Sequence, residues 1–161
     1  MTAVLDTATV AELAAAVTGP VREPGDDGYA AEVASFNLAH AAAPAVVVGA
    51  TGAEDVAAAV RWAARAGLRV SVQATGHGLL ADLAGTVLVS TRRMTGVTVD
   101  PVARTARVQA GVRWAEVIEA AAPHGLAPLS GSSSTIIAGL CSSPDASSTF
   151  CFMPLLNESI R

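Results

Sequence analysis

The sequence predicts an α+β domain in which a small parallel βαβ unit packs beside an antiparallel sheet. Three observations carry this. Two short valine-rich runs, Ala45–Val48 and Arg69–Val72, flank an alanine-rich stretch with helical spacing. Three more β-rich runs follow between residues 86 and 110, separated by turn residues. The 161 residues are 52% hydrophobic, which is ample for the core of one domain of ordinary size.

The first half justifies the elements as follows. Thr7 to Val17 has helical content, with Val10, Leu13 and Val17 on one face and Thr7 or Thr9 as cap. Arg22-Glu23-Pro24-Gly25-Asp26-Asp27-Gly28 is turn-rich, and a short helix follows through Tyr29 to Asn37. Ala45-Val46-Val47-Val48 is a buried strand with Pro44 at its start, where proline is tolerated. Glu54 to Ala66 is a helix with acidic Glu54 and Asp55 in its first turn and Gly67 closing it. Its inward stripe is Val56, Ala59, Val60 and Ala63. Arg69 to Val72 is the next strand and completes the βαβ unit, whose connection is right-handed.

The second half changes character. Thr86–Ser90 and Gly96–Asp100 are strands, Asp100–Arg104 is a turn, and Thr105 to Ala110 returns as a third strand with alternating sides. Gly111 ends it, and Trp114 to Ala122 is a helix stopped by Pro123 and Gly125. Leu126 to Leu129 is a last short strand running into Ser130-Gly131-Ser132-Ser133-Ser134. Trp62 and Trp114 sit at helical spacing among alanines and valines, as packing residues do.

Charge narrows the partners. The net charge is −4, and all ten basic residues are arginines scattered along the chain. Nucleic acid requires a basic face and an anionic membrane surface a basic cluster, so neither is expected as a partner. No apolar run approaches the roughly 18–20 residues of a spanning helix. Asp6 and Glu12 fall where a signal peptide has a basic start and an apolar stretch. Cys141 and Cys151 make no disulfide framework, so a cytoplasmic protein is expected.

Val70-Ser71-Val72-Gln73-Ala74-Thr75-Gly76-His77-Gly78 sets a histidine in a glycine turn straight after a strand. Gly76 and Gly78 let the backbone approach a ligand closely, and unpaired amides at such a turn suit phosphate oxygens. An ordinary tight turn fits the same pattern. The loop around Gly131 is a second small-residue loop at a strand end, and two such loops can converge on one polyphosphate ligand. His40 and His124 read as helix-end or turn residues, and Asp82 as a solvated residue or an orienter of a ring. Arg92 and Arg93 read as a solvated pair, Asp26 and Asp27 as turn residues, and no metal-ligand cluster is present.

Several stretches together carry a family likeness. They are Arg22–Asp26 with Phe36-Asn37, Pro44–Val48, Glu54–Val60, Gln73–Gly78, Met94–Asp100, Ala110–Trp114 and Gly125–Ser133. From about Arg22 to Ile136 the chain resembles the N-terminal part of the flavin-binding oxidoreductases of the vanillyl-alcohol oxidase and p-cresol methylhydroxylase superfamily. Its nearest likeness there is to the berberine-bridge-enzyme-like branch.

The resemblance implies an FAD-binding PCMH-type subdomain over residues 40–140, preceded by a helical and turn segment over 1–39. It implies that FAD lies between the two loops. Its pyrophosphate would be held by Gln73, Ala74, Thr75, Gly76, His77 and Gly78 from one side and by Gly131, Ser132 and Ser133 from the other. His77 matches the histidine that many members bond covalently to a ring methyl of the flavin. Ser133 stands where a subgroup has a second attaching cysteine, so only one covalent bond is expected. The implied parent reaction is hydride abstraction from an alcohol, sugar or amine-bearing carbon of a small-molecule substrate, and no catalytic residue is assigned within this chain.

The chain also departs from the family. After Ser133 the family runs through proline into a glycine-rich turn, whereas here Ser134–Leu140 leads into Cys141-Ser142-Ser143-Pro144. Residues 141–161 hold no Gly, no Val and one Ala, with both Cys and two of the three Phe. That shift reads as a reading-frame change or a truncated gene; a genuine divergent tail is the alternative. The tail is expected to pack poorly, and the later flavin domain and the substrate domain of the family are not represented. Two other functional classes therefore stay open: a non-catalytic remnant, and a flavin-free interaction module.

Overall fold

The computed structural model describes residues 7–36, 43–77, 83–128 and 147–154. They fall into two compact units, Met1–Met94 and Thr95–Arg161.

The first unit is built on a four-stranded sheet. Helix α1 (Thr7–Ala16) places Val10 and Leu13 in the core and leads into the two-residue strand β1 (Val21–Arg22). β1 runs antiparallel to β2 (Val46–Gly49), pairing Val21 with Val48 and Arg22 with Val47, so the turn-rich segment begins one residue later than its composition indicates. Helix α2 (Tyr29–Val33) lies between them in the chain, and helix α3 (Ala53–Arg65) connects β2 to β3 (Arg69–Gln73).

β2 and β3 are not neighbours, contrary to the simple βαβ expectation. β4 (Thr86–Ser90) lies between them, parallel to both, giving the order β1-β2-β4-β3. Burial explains the order. All five residues of β4 and all four of β2 are buried, as strands covered on both faces must be. β3 carries Val72, which is 67% exposed, and takes the edge.

α3 is rotated from the expected stripe. Its buried residues are Asp55, Ala58, Ala59, Trp62 and Ala63, while Val60 is 44% exposed. Burying Trp62 removes far more apolar surface than burying a valine, and positions 55, 58, 59 and 62 share its face at i, i+3, i+4 and i+7. Asp55 is tolerated there because its carboxylate is saturated. It accepts from the backbone N–H groups of Thr18 (2.7 Å), Gly19 (3.2 Å) and Thr51 (2.8 Å) and from the Thr51 hydroxyl (2.7 Å). One side chain thereby joins the α1–β1 turn to the start of α3.

The second unit is antiparallel. β5 (Val97–Asp100) and β6 (Thr105–Gln109) form the expected hairpin, with Val97 opposite Val108 and Asp100 opposite Thr105. The Asp100 carboxylate accepts the amides of Val102 (2.9 Å) and Ala103 (2.8 Å), which closes the turn. Helix α4 (Trp114–Ala121) runs into a 3-10 turn, Ala122–His124, and then into β7 (Leu126–Pro128). Ala106, Val108, Val112, Trp114, Val117, Ala121 and Leu126 make the core of this unit. Both tryptophans are core residues, as their helical spacing indicates.

The tail corrects an expectation. Residues 141–161 were expected to pack poorly, yet Ser147–Pro154 form β8, which lies between β6 and β7 in the order β5-β6-β8-β7. Its register places Thr105 opposite Cys151 and Leu126 opposite Pro154. The run Thr149-Phe150-Cys151-Phe152 has the aromatic and β-branched content that suits a strand, and absence of glycine is no obstacle to an extended chain. Among the described residues no helix is long and apolar enough to cross a membrane.

Candidate functional site

The glycine–histidine loop leaves the C-terminal end of β3, the edge at which open α/β sheets place their ligands. Gln73, the last residue of β3, is buried and pairs in register with Ser90. Ala74 and Thr75 follow, half-buried, and Gly76 turns the chain with φ +75°. His77 comes out exposed.

A ledge formed by residues 31–36 supports this loop. α2 ends at Val33, four residues before the expected Asn37, and Ala34 is extended. The carbonyls freed there are taken by side chains from elsewhere. Gln73 Nε2 donates to the Glu32 carbonyl at 3.1 Å. The Arg92 guanidinium donates from Nε to the Ala74 carbonyl at 2.9 Å, from Nη1 to Ala31 at 2.9 Å, and from Nη2 to Ala34. The Phe36 N–H donates to the Thr75 carbonyl at 2.8 Å. The ledge itself is fixed. The Tyr29 hydroxyl donates to the Pro44 carbonyl at 2.6 Å, with its ring against the Val33, Val47, Leu83 and Leu88 cluster. Burial pushes the Tyr29 phenol pKa up, so the hydroxyl keeps its proton.

Two contacts bring loop and ledge close. A Cβ at Gly76 would lie 2.3 Å from Ser35 Cβ and 2.8 Å from Ser35 Cα, so only glycine fits. The Phe36 ring stacks on the His77 imidazole with centroids 3.7 Å apart and planes at 11°. Phe36 is 69% exposed, so the stacked pair presents flat ring surface to solvent. Gln73 Oε1 and Ser90 Oγ, adjacent in register, are buried without a hydrogen-bond partner among the described residues.

Arg92 and Arg93 are not the solvated pair that the sequence indicates. Arg92 bridges three carbonyls, and Arg93 pairs with the buried Glu32 carboxylate at 2.7 Å. Nothing in the pattern marks these roles, because the acceptors on α2 lie 58 to 61 residues away and are backbone or a single glutamate. Phe36 belongs to the motif stretches, but its stacking on His77 has no sequence signal either.

The structure brings Gln73, Ala74, Thr75, Gly76 and His77 into one loop. Gly78, Gly131, Ser132 and Ser133 lie outside the described residues, as do His40 and Asp82. His124 is exposed in the 3-10 turn before Gly125, and Asp26 accepts the Glu23 N–H within its turn. Among the described residues no group of three or more His, Cys, Asp or Glu is placed to hold a metal.

Comparison with known proteins decides the family. The profile of the family described as FAD binding domain matches residues 44–146. The chain belongs to this FAD-binding family. Its cofactor is FAD. (R)-6-hydroxynicotine oxidase of Paenarthrobacter nicotinovorans is 31% identical over 117 residues, covering 71% of this chain and 26% of that protein. The crystal structure of 6-hydroxy-D-nicotine oxidase from Arthrobacter nicotinovorans matches with TM-score 0.63 and 30% identity, over 69% of this chain and 25% of that one. Carbohydrate oxidase from Microdochium nivale matches with TM-score 0.64 and 25% identity, over 74% and 26%. BBE-like 1 of Physcomitrella patens shares the fold at TM-score 0.64 and 22% identity, over 73% and 27%. The chain thus carries an FAD binding domain and spans about a quarter of the length of these relatives.

The described part of the loop fits a flavin nucleotide. It offers small side chains, a left-handed glycine and an exposed imidazole with a flat aromatic neighbour. Among the described residues, the amides of Thr75, Gly76 and His77 donate to no backbone carbonyl, which suits them to phosphate oxygens.

Proposed function

We propose that this chain is the N-terminal FAD-binding part of an oxidoreductase that abstracts hydride from an alcohol, sugar or amine-bearing carbon. When bound, FAD supplies the hydride acceptor, and the protein supplies binding and electrostatics. The observation that carries the reading is the presentation of His77 at the C-terminal end of a parallel strand, on a loop pinned from below and open above.

Each residue of the chain has a limited task in this reading. Gln73 to Gly78, with Gly131, Ser132 and Ser133, hold the pyrophosphate. His77 would offer an imidazole nitrogen to a flavin ring methyl. Bound there, FAD would supply the electrophilic ring methyl for such an attachment, and His77 would be the residue that holds it. Ser133 makes no second bond, because its hydroxyl is too weak an acid to attack unaided. The substrate is a small molecule bound by the rest of the enzyme. A protein with two cysteines and no disulfide framework suits the cytoplasm.

The test is a chimera in which the C-terminal part of (R)-6-hydroxynicotine oxidase replaces residues 141–161. It is expected to be yellow and to keep its flavin through acid precipitation. Ser133→Ala should retain the flavin and His77→Ala should lose it. Equal retention in His77→Ala removes His77 as the attachment site. A folded but colourless chimera favours the non-catalytic remnant or the interaction module instead.

A further inference from the structure

We propose that Arg92 is the positioning residue of the His77 loop: its guanidinium locks Ala74 to the α2 exit and so sets the imidazole against Phe36 for contact with the flavin. This rests on the reading that the loop takes FAD.

The chain delivers Arg92 to this place by β4 pairing. Thr91 N–H donates to the Gln73 carbonyl at 2.9 Å, which ties the end of β4 to the end of β3. Met94 N–H donates back to Thr91 at 2.9 Å, and the Met94 side chain is fully buried. The Arg92 backbone is therefore held between two fixed points beside the loop. Its three acceptors are carbonyls at the start of the loop and at the end of a helix, where intrahelical donors run out. The neighbouring Arg93 pairs with Glu32, so the two arginines take different acceptors.

The three bonds require an arginine. A planar fork has N–H groups pointing in several fixed directions, and Nε, Nη1 and Nη2 each reach a different carbonyl here. A lysine ammonium is a single point and cannot span the three. Without the fork, the loop keeps the Phe36 N–H bond to Thr75 and the Gln73 bond to Glu32. Neither of these holds Ala74. The loop can then lift from Ser35, and the Phe36–His77 stack is lost with it.

Nuclear magnetic resonance of the 161-residue chain without flavin tests this directly. In the wild type, the His77 ring protons should be shifted upfield by the Phe36 ring, and Phe36→Ala gives the unstacked reference. The Arg92 Nε–H should exchange slowly. In Arg92→Ala and Arg92→Lys the upfield shift should collapse to the reference. The amides of Val47 and Leu88 should stay protected in both variants, which shows that the sheet persists while the stack is lost. Millimolar guanidinium should restore the shift in Arg92→Ala, and methylammonium should not.

An unchanged ring shift in both variants, or equal rescue by the two cations, overturns the proposal. If both variants fail to fold, the wild-type Arg92 Nε–H decides: rapid exchange overturns the proposal and slow exchange supports it. A parallel FAD titration by flavin fluorescence separates the underlying reading. Binding at least about tenfold weaker in Arg92→Lys supports the role toward flavin, and equal binding overturns it. Failure of the wild type to bind FAD counts against the flavin reading of the chain, while the ring shift still judges whether Arg92 positions His77.

Discussion

Alanine at Gly76 is expected to destabilise the first unit by about 2–4 kcal/mol, the sum of left-handed strain and overpacking. The backbone there has φ +75°, where a Cβ meets the following carbonyl oxygen. The new Cβ would also lie 2.3 Å from Ser35 Cβ and 2.8 Å from Ser35 Cα, and the second of these is backbone that cannot rotate away. Either the loop lifts from the ledge or the ledge moves, and both separate His77 from Phe36. Urea unfolding followed by Trp62 fluorescence, in a Trp114→Phe background, measures the loss. Adding Ser35→Gly should recover part of it by removing the nearer atom. A change below about 0.5 kcal/mol, the scatter of ordinary surface substitutions, would contradict the close approach.

Asp55→Ala should cost a similar amount, about 2–4 kcal/mol, because three backbone amides and a hydroxyl lose their acceptor in a buried place. Asp55→Asn should cost less but still destabilise, since an amide NH2 then faces N–H groups at one of the two oxygen positions. The pH dependence has a definite sign. Burial pushes the Asp55 carboxyl up, but hydrogen bonds from the Thr18 amide, the Thr51 amide and hydroxyl, and the Gly19 amide together hold its pKa below the usual carboxylate range. A pKa lowered in the folded state gives stability that is fully present above the unfolded value of about 3.9 and lost as pH falls through the folded value. The wild type should therefore lose stability in that acid window relative to Asp55→Asn. Parallel stability curves for the two proteins from pH 6 down through the window (the range in which Asp55 alone distinguishes them) would contradict the assignment.

Local patterning made much of the fold legible. β4 and the β5–β6 hairpin announce themselves by valine runs and by the Asp100-Pro101 turn, and α4 by its start at Trp114 and its stop at Pro123. What escaped depends on partners far away in the chain. The α3 stripe was misplaced by one position because Asp55 counts as polar in a pattern, although bonds from Thr18 and Gly19 make it a buried residue. The early end of α2 follows from acceptors claimed by Gln73 and Arg92, and no window around Val33 contains them. β8 went unseen because the composition of residues 141–161 was read as a reading-frame change with poor packing, where strand propensity at Thr149–Phe152 was the relevant signal.

The candidate site divides along the same line. A glycine–histidine turn after a strand was visible directly, and the structure places it at the expected end of β3. The ring stack and the three-carbonyl bridge of Arg92 were not visible, since they join residues far apart in the chain.

The central claim is that the His77 loop holds the flavin, and peptide mapping of the chimera tests it most directly. Trypsin cuts after Arg69 and Arg92, so Val70–Arg92 is released as one peptide with His77 as its single histidine and with no cysteine or tyrosine. Flavin fluorescence and the added flavin mass are expected to travel with this peptide, with fragmentation placing them on His77. Flavin recovered on any other peptide, or released entirely on unfolding from a chimera that bound it when folded, would contradict His77 as the point of attachment.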